Sequence, residues 1–494
     1  MDGRALFIAR RKQVWTPRGF PLLGNTPVLL FSVERDLEYF YNKRKERRAL
    51  GYGEEVALSL TTPMGRILDV TNPIWLEHVE KKAFHKYGKP PILKDVSVDF
   101  LGHGIFVSDG DHWKFQRQIF SNLFTFDNIR SNLQMSVVDG LEQLVKLIDT
   151  KACEGKVFDF QELCHDFSLN LFCSMVFGKP LDIVKNNFKE SSFAKALNAS
   201  QLHVRKRFIN PLWKFTEQVT GVTKEINKIV KDLDDFAYSC INERRLLAQS
   251  LEKKPHNPDF LDYLLNYRDD DGKPLSDQFI RDSMVHLLVA SRDTTAQTLS
   301  WTMYHLLTNP NWYDAVLEEA EEAMRLGGIS FDVFDEQLLT TACINETLRL
   351  HPPAPRNTMV ALQDDQLPNG PEVKKGDIVF WSTWQLGRDE LLWGEDATEY
   401  KPERWISENH TIIKQTCWKS HSFGGGPRTC MGKQLAMFEV VATLSTLLDK
   451  FDFKLAPDCT APETIPGENL PRYKAAISLP MNGPLLVVAT RRDS

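Results

Sequence analysis

The sequence predicts a mainly α-helical fold with smaller β-sheets, and three observations lead to it. From about Asp111 to Phe279 apolar residues recur at helical spacing with polar interruptions. The stretch from Ser276 to Pro310, SDQFIRDSMVHLLVASRDTTAQTLSWTMYHLLTNP, has no internal breaker between a capping serine and a closing Asn-Pro. Strand-like composition is confined to short segments towards the two ends of the chain.

Taken in order, TPRGFPLLGNTP (Thr16 to Pro27) is too rich in proline and glycine for a helix and reads as a strap wrapped on a surface. VALSLTTPMGRILDV (Val56 to Val70) sets β-branched residues on either side of a Pro-Met-Gly turn and reads as a hairpin. The helix opening after Ser276 would run about 45 Å at 1.5 Å per residue, so it has to cross the core. EQLLTTACINETLRL (Glu336 to Leu350) is a helix that the prolines of HPPAP terminate. After Met359 the chain becomes strand and loop up to SFGGGPRTCMGKQLA (Ser422 to Ala436), where a glycine loop gives way to a helix expected near Met431. AAISLPMNGPLLVVAT (Ala475 to Thr490) reads as a last strand-like segment. The linker LEKKPHNP (Leu251 to Pro258) is too short to separate domains. The expected organisation is therefore a strap over 1–28 without a membrane anchor and one domain over 29–494.

The composition excludes several functions. A net charge of −6 over 494 residues gives no overall attraction to nucleic acid. The eight cysteines, Cys153, Cys164, Cys173, Cys240, Cys343, Cys417, Cys430 and Cys459, include no CxxC pair, which removes zinc-ribbon, iron–sulfur and thioredoxin-like sites. A secreted disulfide scaffold does not suit this length, so a set of reduced, mostly buried intracellular thiols is expected apart from Cys430. The apolar run Ala5 to Ala9 is too short for a signal sequence or a membrane span.

Cys430 stands ahead of a helix N-terminus, where backbone N–H groups and the helix dipole favour a thiolate, so a ligand of low pKa is expected. Gly424, Gly425 and Gly426 allow the backbone to approach a flat partner, and Pro427 stiffens the loop. Such a cysteine can hold haem iron. Glu346 and Arg349 are three apart on one helix and can pair, and KPERW adds Arg404. Two arginines around one buried carboxylate would lock the structure behind the loop. In ASRDTT (Ala290 to Thr295), Asp293 and Thr294 interrupt an apolar helix, and a threonine bonded to its i−4 carbonyl can open the helix locally. Trp113 and Arg117 are four apart on a helix and can point at one anion.

FGGGPRTCMG, which is highly specific, together with ETLR, KPERW, ASRDTT and WKFQR, resembles the motifs of the cytochrome P-450 family, and the resemblance covers the chain from Thr16 onward. It implies a triangular helical prism with haem b between the long central helix and the helix of the cysteine loop. By the same resemblance Cys430 is the axial thiolate ligand, and Phe423 packs near the sulfur. Trp113, Arg117 and Arg428 serve the haem propionates. Asp293 and Thr294 are the catalytic proton-delivery pair, and Glu346, Arg349 and Arg404 support the haem loop structurally. The sequence departs from the family pattern at Ser291, where glycine is usual, and at Met359, where many relatives have a propionate-binding arginine; Arg356 is the nearby basic residue.

The implied function is monooxygenation, one atom of O2 entering a C–H bond of a lipophilic substrate, with electrons from NADPH through a separate reductase that Lys433 could help dock. FAKALNASQLHVRKRFINPLWKF, RDTTAQTLSW and LGRDELLWGEDATEYKPERW resemble the branch that hydroxylates long-chain fatty acids or alkanes at or near the terminal carbon. Such attack needs a long apolar channel with a cation at its mouth, and Arg205, Lys206 and Arg207 are candidates. A sterol, terpenoid or xenobiotic substrate is the alternative, and a non-catalytic haem sensor a remote one that would need neither Asp293 nor Thr294. A monomer is expected. The family implies an intracellular protein at the endoplasmic-reticulum surface, while the short Ala5 to Ala9 run leaves peripheral and cytosolic forms open.

Overall fold

A computed structural model describes residues 13–62, 65–125, 133–178, 192–249, 259–334, 336–457, 464–465 and 472–492. The strap before residue 13, Cys459 and the linker Leu251 to Pro258 lie outside the described residues. Helices dominate. The long helix is Asp277–Thr308, 32 residues, capped by the Ser276 hydroxyl, which accepts from the Phe279 N–H at 3.2 Å. Most of it is buried, and it packs chiefly on the helix Phe160–Phe177 and also on Leu338–Leu350 and Lys433–Lys450. A helix buried all round needs no single apolar stripe, which is why threonines, serines and Gln297 can occupy it once their polar groups are paired. Ser300 and Thr302 do so by bonding the carbonyls of Ala296 and Thr298, four residues back.

The expected hairpin forms the centre of a six-stranded sheet. Its strands are β1 (Val14–Trp15), β2 (Ala57–Thr62), β3 (Gly65–Asp69), β4 (Tyr87–Gly88), β5 (Asn357–Ala361) and β6 (Ile378–Trp381), in the order β1-β2-β3-β6-β5-β4. β2 and β3 pair antiparallel from Leu58 against Asp69 to Thr62 against Gly65, and β6 joins β3 in parallel. The strap lies on this sheet, with Asn25 N–H donating to the Thr61 carbonyl at 2.6 Å, and it turns helical earlier than its prolines suggested, at Thr26–Phe31. A proline at the second position of that helix costs nothing, because the first N–H groups have no helical partner. Phe451–Leu455, Leu486–Arg491 and Phe158–Asp159 make a second, antiparallel sheet.

Candidate functional site

The cysteine loop is fixed at several points. Cys430 N–H donates to the Phe423 carbonyl at 2.9 Å, Gly424 N–H to that of His421 at 2.9 Å, and the Ser422 hydroxyl to that of Leu348 at 2.8 Å. The following helix starts at Lys433, with Gly432 at its cap, two residues later than the sequence indicated. Cys430 is an exposed residue although protein surrounds its thiol on most sides. The expectation of a low thiol pKa is corrected. Burial pushes the Cys430 thiol above its ordinary range and outweighs the Gly432 N–H, Arg117 and Lys433, which pull the other way. The purpose assigned to the glycines also changes. A Cβ on Gly425 would strike the Trp418 ring, and one on Gly426, at φ +62°, the Glu80 carbonyl. These two residues let the loop seat against protein, and the flat-partner reading does not describe them.

Behind the loop, Glu346 is 0 % exposed and Arg349 2 %. The carboxylate accepts from Arg349 Nε at 2.8 Å and Nη2 at 2.7 Å, from the Lys401 N–H at 2.8 Å and from Trp405 Nε1 at 2.9 Å. The remaining Arg349 hydrogens go to the carbonyls of Gly387, Ala397 and Glu399. Arg404 Nε lies 3.4 Å from Glu346, while its other nitrogens bond Trp393 O at 2.9 Å and Asp396 O at 2.7 Å. A Cβ at Gly387 would collide with the Arg349 carbonyl. The three motif residues therefore meet as predicted. Trp405, the Lys401 amide and Gly387 complete the network, and the tryptophan's position inside KPERW was the only signal for it.

Trp113 is buried against Phe84, ring centroids 5.5 Å apart, with the Arg428 guanidinium 4.5 Å from its ring centre. Arg428 reaches the Ser108 carbonyl at 3.1 Å and the Asp109 carboxylate, and its buried Nε has no hydrogen-bond partner among the described residues. Arg117 is half-buried and has no hydrogen-bond or ion-pair partner among the described residues. Burial lowers its pKa, and the only opposing influence is Cys430. An unpaired cation and an orphaned guanidinium N–H beside an accessible thiol suit a cofactor bearing a soft-ligand metal and carboxylates, so these residues fit haem. Arg356 is not among them: it pairs with Asp36 at 2.9 Å and donates to the Ala476 carbonyl at 2.8 Å.

On the long helix, the Thr294 hydroxyl donates to the Ala290 carbonyl at 2.8 Å, the expected i−4 bond. The Ser291 hydroxyl donates to the Leu288 carbonyl at 3.2 Å. Asp293 is buried, 3.4 Å from His165 Nδ1 and 3.6 Å from Arg292 Nη1. Burial alone would raise its pKa, but His165, Arg292 and Gln201 together hold the carboxyl below its ordinary value. His165 and Gln201 come from separate helices, Phe160–Phe177 and Ser192–Ile209, and no local motif announced them. Neither did any announce Glu439, fully buried on Lys433–Lys450, which accepts from the Thr295 hydroxyl at 3.3 Å. Burial raises that carboxyl to about 8. Of the proposed channel-mouth cations, Arg207 is excluded. It is buried, bound to Asp99, Glu217 and the Val96 carbonyl, and stacked on Trp213.

An exposed cysteine, with a cation unpaired among the described residues beside it and a satisfied buried ion pair behind its loop, is what a haem-thiolate protein requires. The family model described as Cytochrome P450 matches residues 52–479, most of the chain. Among similar proteins, Cytochrome P450 monooxygenase cyp1 of Mycosarcoma maydis is 35% identical over 98% of this chain and 76% of its own length. Cytochrome P450 94A1 of Vicia sativa is 27% identical over 97% and 91%, and Cytochrome P450 704B1 of Arabidopsis thaliana 28% over 90% and 90%. The chain belongs to the cytochrome P-450 family, and it is an oxidoreductase of the monooxygenase type.

Proposed function

We propose that the protein binds haem b through Cys430 and hydroxylates a long-chain fatty acid at or near its terminal carbon, with electrons from NADPH delivered by a separate reductase. Bound haem supplies oxygen activation. The observation that carries the reading is Arg117, a half-buried cation without a partner among the described residues, whose one opposing electrostatic influence is the Cys430 sulfur. Arg117, Arg428 and Trp113 bind the propionates. Phe423 holds the ligand loop through its carbonyl. Glu346, Arg349 and Arg404 keep that loop in place without touching the reaction. Asp293 holds a carboxylate able to accept and return a proton, and Thr294, by bonding the Ala290 carbonyl, weakens the helix locally so that the proton can pass along it. Lys433, exposed on the cysteine side, helps seat the reductase. Residues from 29 onward act as one unit, and the protein works as a monomer.

The substrate assignment rests on the three stretches that resemble the fatty acid branch and on the surface around one ion pair. Arg205 binds Glu34 at 2.6 Å, joining the helix Ser192–Ile209 to the 3-10 turn Val33–Arg35 that follows the helix Thr26–Phe31. Leu30 and Phe31, shortly before Glu34 in the chain, and Leu212, Phe215 and Val219, shortly after Arg205, are exposed apolar residues. Such a patch lies against a lipid surface and receives an apolar substrate from it. Among the described residues no helix is long and apolar enough to cross a membrane; the contact made by this patch itself is a peripheral one. Lys206, exposed and with no ion-pair partner among the described residues, is the cation left to attract the carboxylate. The test is optical titration of the ferric protein with a long-chain fatty acid and, separately, with a sterol. A saturable shift to high-spin haem with the fatty acid alone is expected, and a shift with the sterol alone would overturn the substrate class.

A further inference from the structure

His421 opens the cysteine loop, and Glu80 belongs to the π-helical segment His78–Lys82 far away in sequence. Their side chains meet in the interior, His421 Nε2 lying 2.9 Å from Glu80 Oε2, with 1 % and 7 % of the two side chains exposed. The other ring nitrogen, Nδ1, is 2.7 Å from the Cys417 carbonyl. A carbonyl only accepts, so Nδ1 carries a hydrogen. A bare Nε2 would then set its lone pair against that of a carboxylate oxygen at hydrogen-bond distance, so a proton sits between these two atoms as well. Neither of these two atoms makes a well-formed hydrogen bond among the described residues, which leaves attraction between opposite charges as the force holding them. The same Glu80 meets the loop a second time, because its backbone carbonyl fills the space in which a Cβ of Gly426 would stand. One residue thus grips the loop at its start and again four residues before Cys430.

We infer that Glu80 and His421 form a buried imidazolium–carboxylate latch that sets the seat of the cysteine loop, making His421 a positioning residue for the Cys430 sulfur; the inference rests on Cys430 being the haem ligand. Burial by itself would lower the imidazole's pKa, but Glu80 and the Cys417 carbonyl raise it above its ordinary value, so the charged latch persists to higher pH than a free imidazole would stay protonated. The groups facing the pair are Lys89, which feels Glu80 and whose own pKa burial and Arg428 depress to about 8, and the Cys417 thiol with Lys81 and Lys433 beyond it. Trp418 and Trp381 cover the imidazole with uncharged rings. The folded-state pKa is raised, so the stabilisation is complete below the ordinary histidine range and disappears as pH rises through the shifted value.

The experiment uses the haem-loaded protein and its His421→Gln, Glu80→Gln, double and Lys89→Gln variants. Two quantities are followed between neutral and alkaline pH: haem release to an excess of apomyoglobin, and the thiolate signature in the absorption of the reduced, carbon monoxide-bound protein. Wild type is expected to keep thiolate ligation at neutral pH and lose it in an alkaline transition. His421→Gln should release haem roughly 10-fold faster or more at neutral pH and lack the transition, since ligand-supporting contacts are worth about 10- to 100-fold in metal retention. Glu80→Gln should behave alike, and the double variant no worse than either single one, because the pair is broken once. The latch is overturned if His421→Gln matches wild type in both quantities, if the single effects add in the double variant, or if the transition moves with Lys89→Gln and not with His421→Gln. Should a variant not accumulate, a wild type with no alkaline transition also overturns it. A wild type with no thiolate signature at any pH instead refutes Cys430 as ligand, which separates the two failures.

Discussion

Behind the cysteine, Glu346 receives four hydrogen bonds within 2.9 Å and is wholly buried, whereas on the long helix Asp293 is held by ion pairs at 3.4 and 3.6 Å to His165 and Arg292. Both are buried carboxylates beside arginine. A carboxylate whose lone pairs are all engaged in short bonds is expensive to disturb and suits a scaffold. One held at longer range, by a neighbour on its own helix and a histidine from another, can change partners at small cost, which proton transfer requires. Burial of charge thus serves rigidity in one place and mobility in the other, and hydrogen-bond saturation tells them apart.

The largest effect that sharpens this contrast is expected from Glu346→Ala. It strands the Arg349 guanidinium in the interior and should cost about 3–5 kcal/mol, a large share of an ordinary domain's stability, so denaturant unfolding and haem content should both fail together. Asp293→Asn should act on the other axis. Product formation should drop about 10²-fold or more while the unfolding midpoint stays close to wild type, and equal loss of stability in the two variants would break the comparison.

Glu439 offers an intermediate case, a buried carboxyl with one hydrogen bond and a pKa raised to about 8. Its folded value lies above the unfolded one, so the protonated form stabilises the fold. That contribution is complete below the ordinary glutamate pKa and is lost as pH climbs to about 8. Stability measured across that window should fall with pH in wild type and fall less in Glu439→Gln, which stays neutral; identical slopes would refute the assignment. The smallest effect belongs to Lys206→Ala, for which KM for a long-chain carboxylate should rise roughly two- to fivefold at low salt with kcat unchanged, as befits an exposed charge.

Much of this was legible in the sequence because it depends on local chemistry. Ser276 and Asn309-Pro310 bounded the long helix to within two residues, and the spacing of Glu346 and Arg349 gave their pairing. What could not be read is what tertiary contact decides. Arg207 stands in a basic run that reads as solvated, yet Glu217 and Asp99 draw it into the interior. The glycines before Cys430 announce close approach but not to what, and Trp418 and Glu80 are the answer for two of them. The thiol's pKa failed for a similar reason. The helix start and basic neighbours visible in sequence favour the thiolate, while the burial that outweighs them comes from residues distant in the chain.

The most direct measurement is turnover under isotopically labelled dioxygen. The haem-loaded protein, an NADPH-dependent reductase and a long-chain fatty acid are combined under ¹⁸O2, and the products are read by mass spectrometry. One labelled oxygen atom at or near the terminal carbon, absent from Cys430→Ser and greatly reduced in Asp293→Asn, is the predicted result. Product oxygen drawn from water, or an unoxidised fatty acid beside a consumed sterol, would contradict the account.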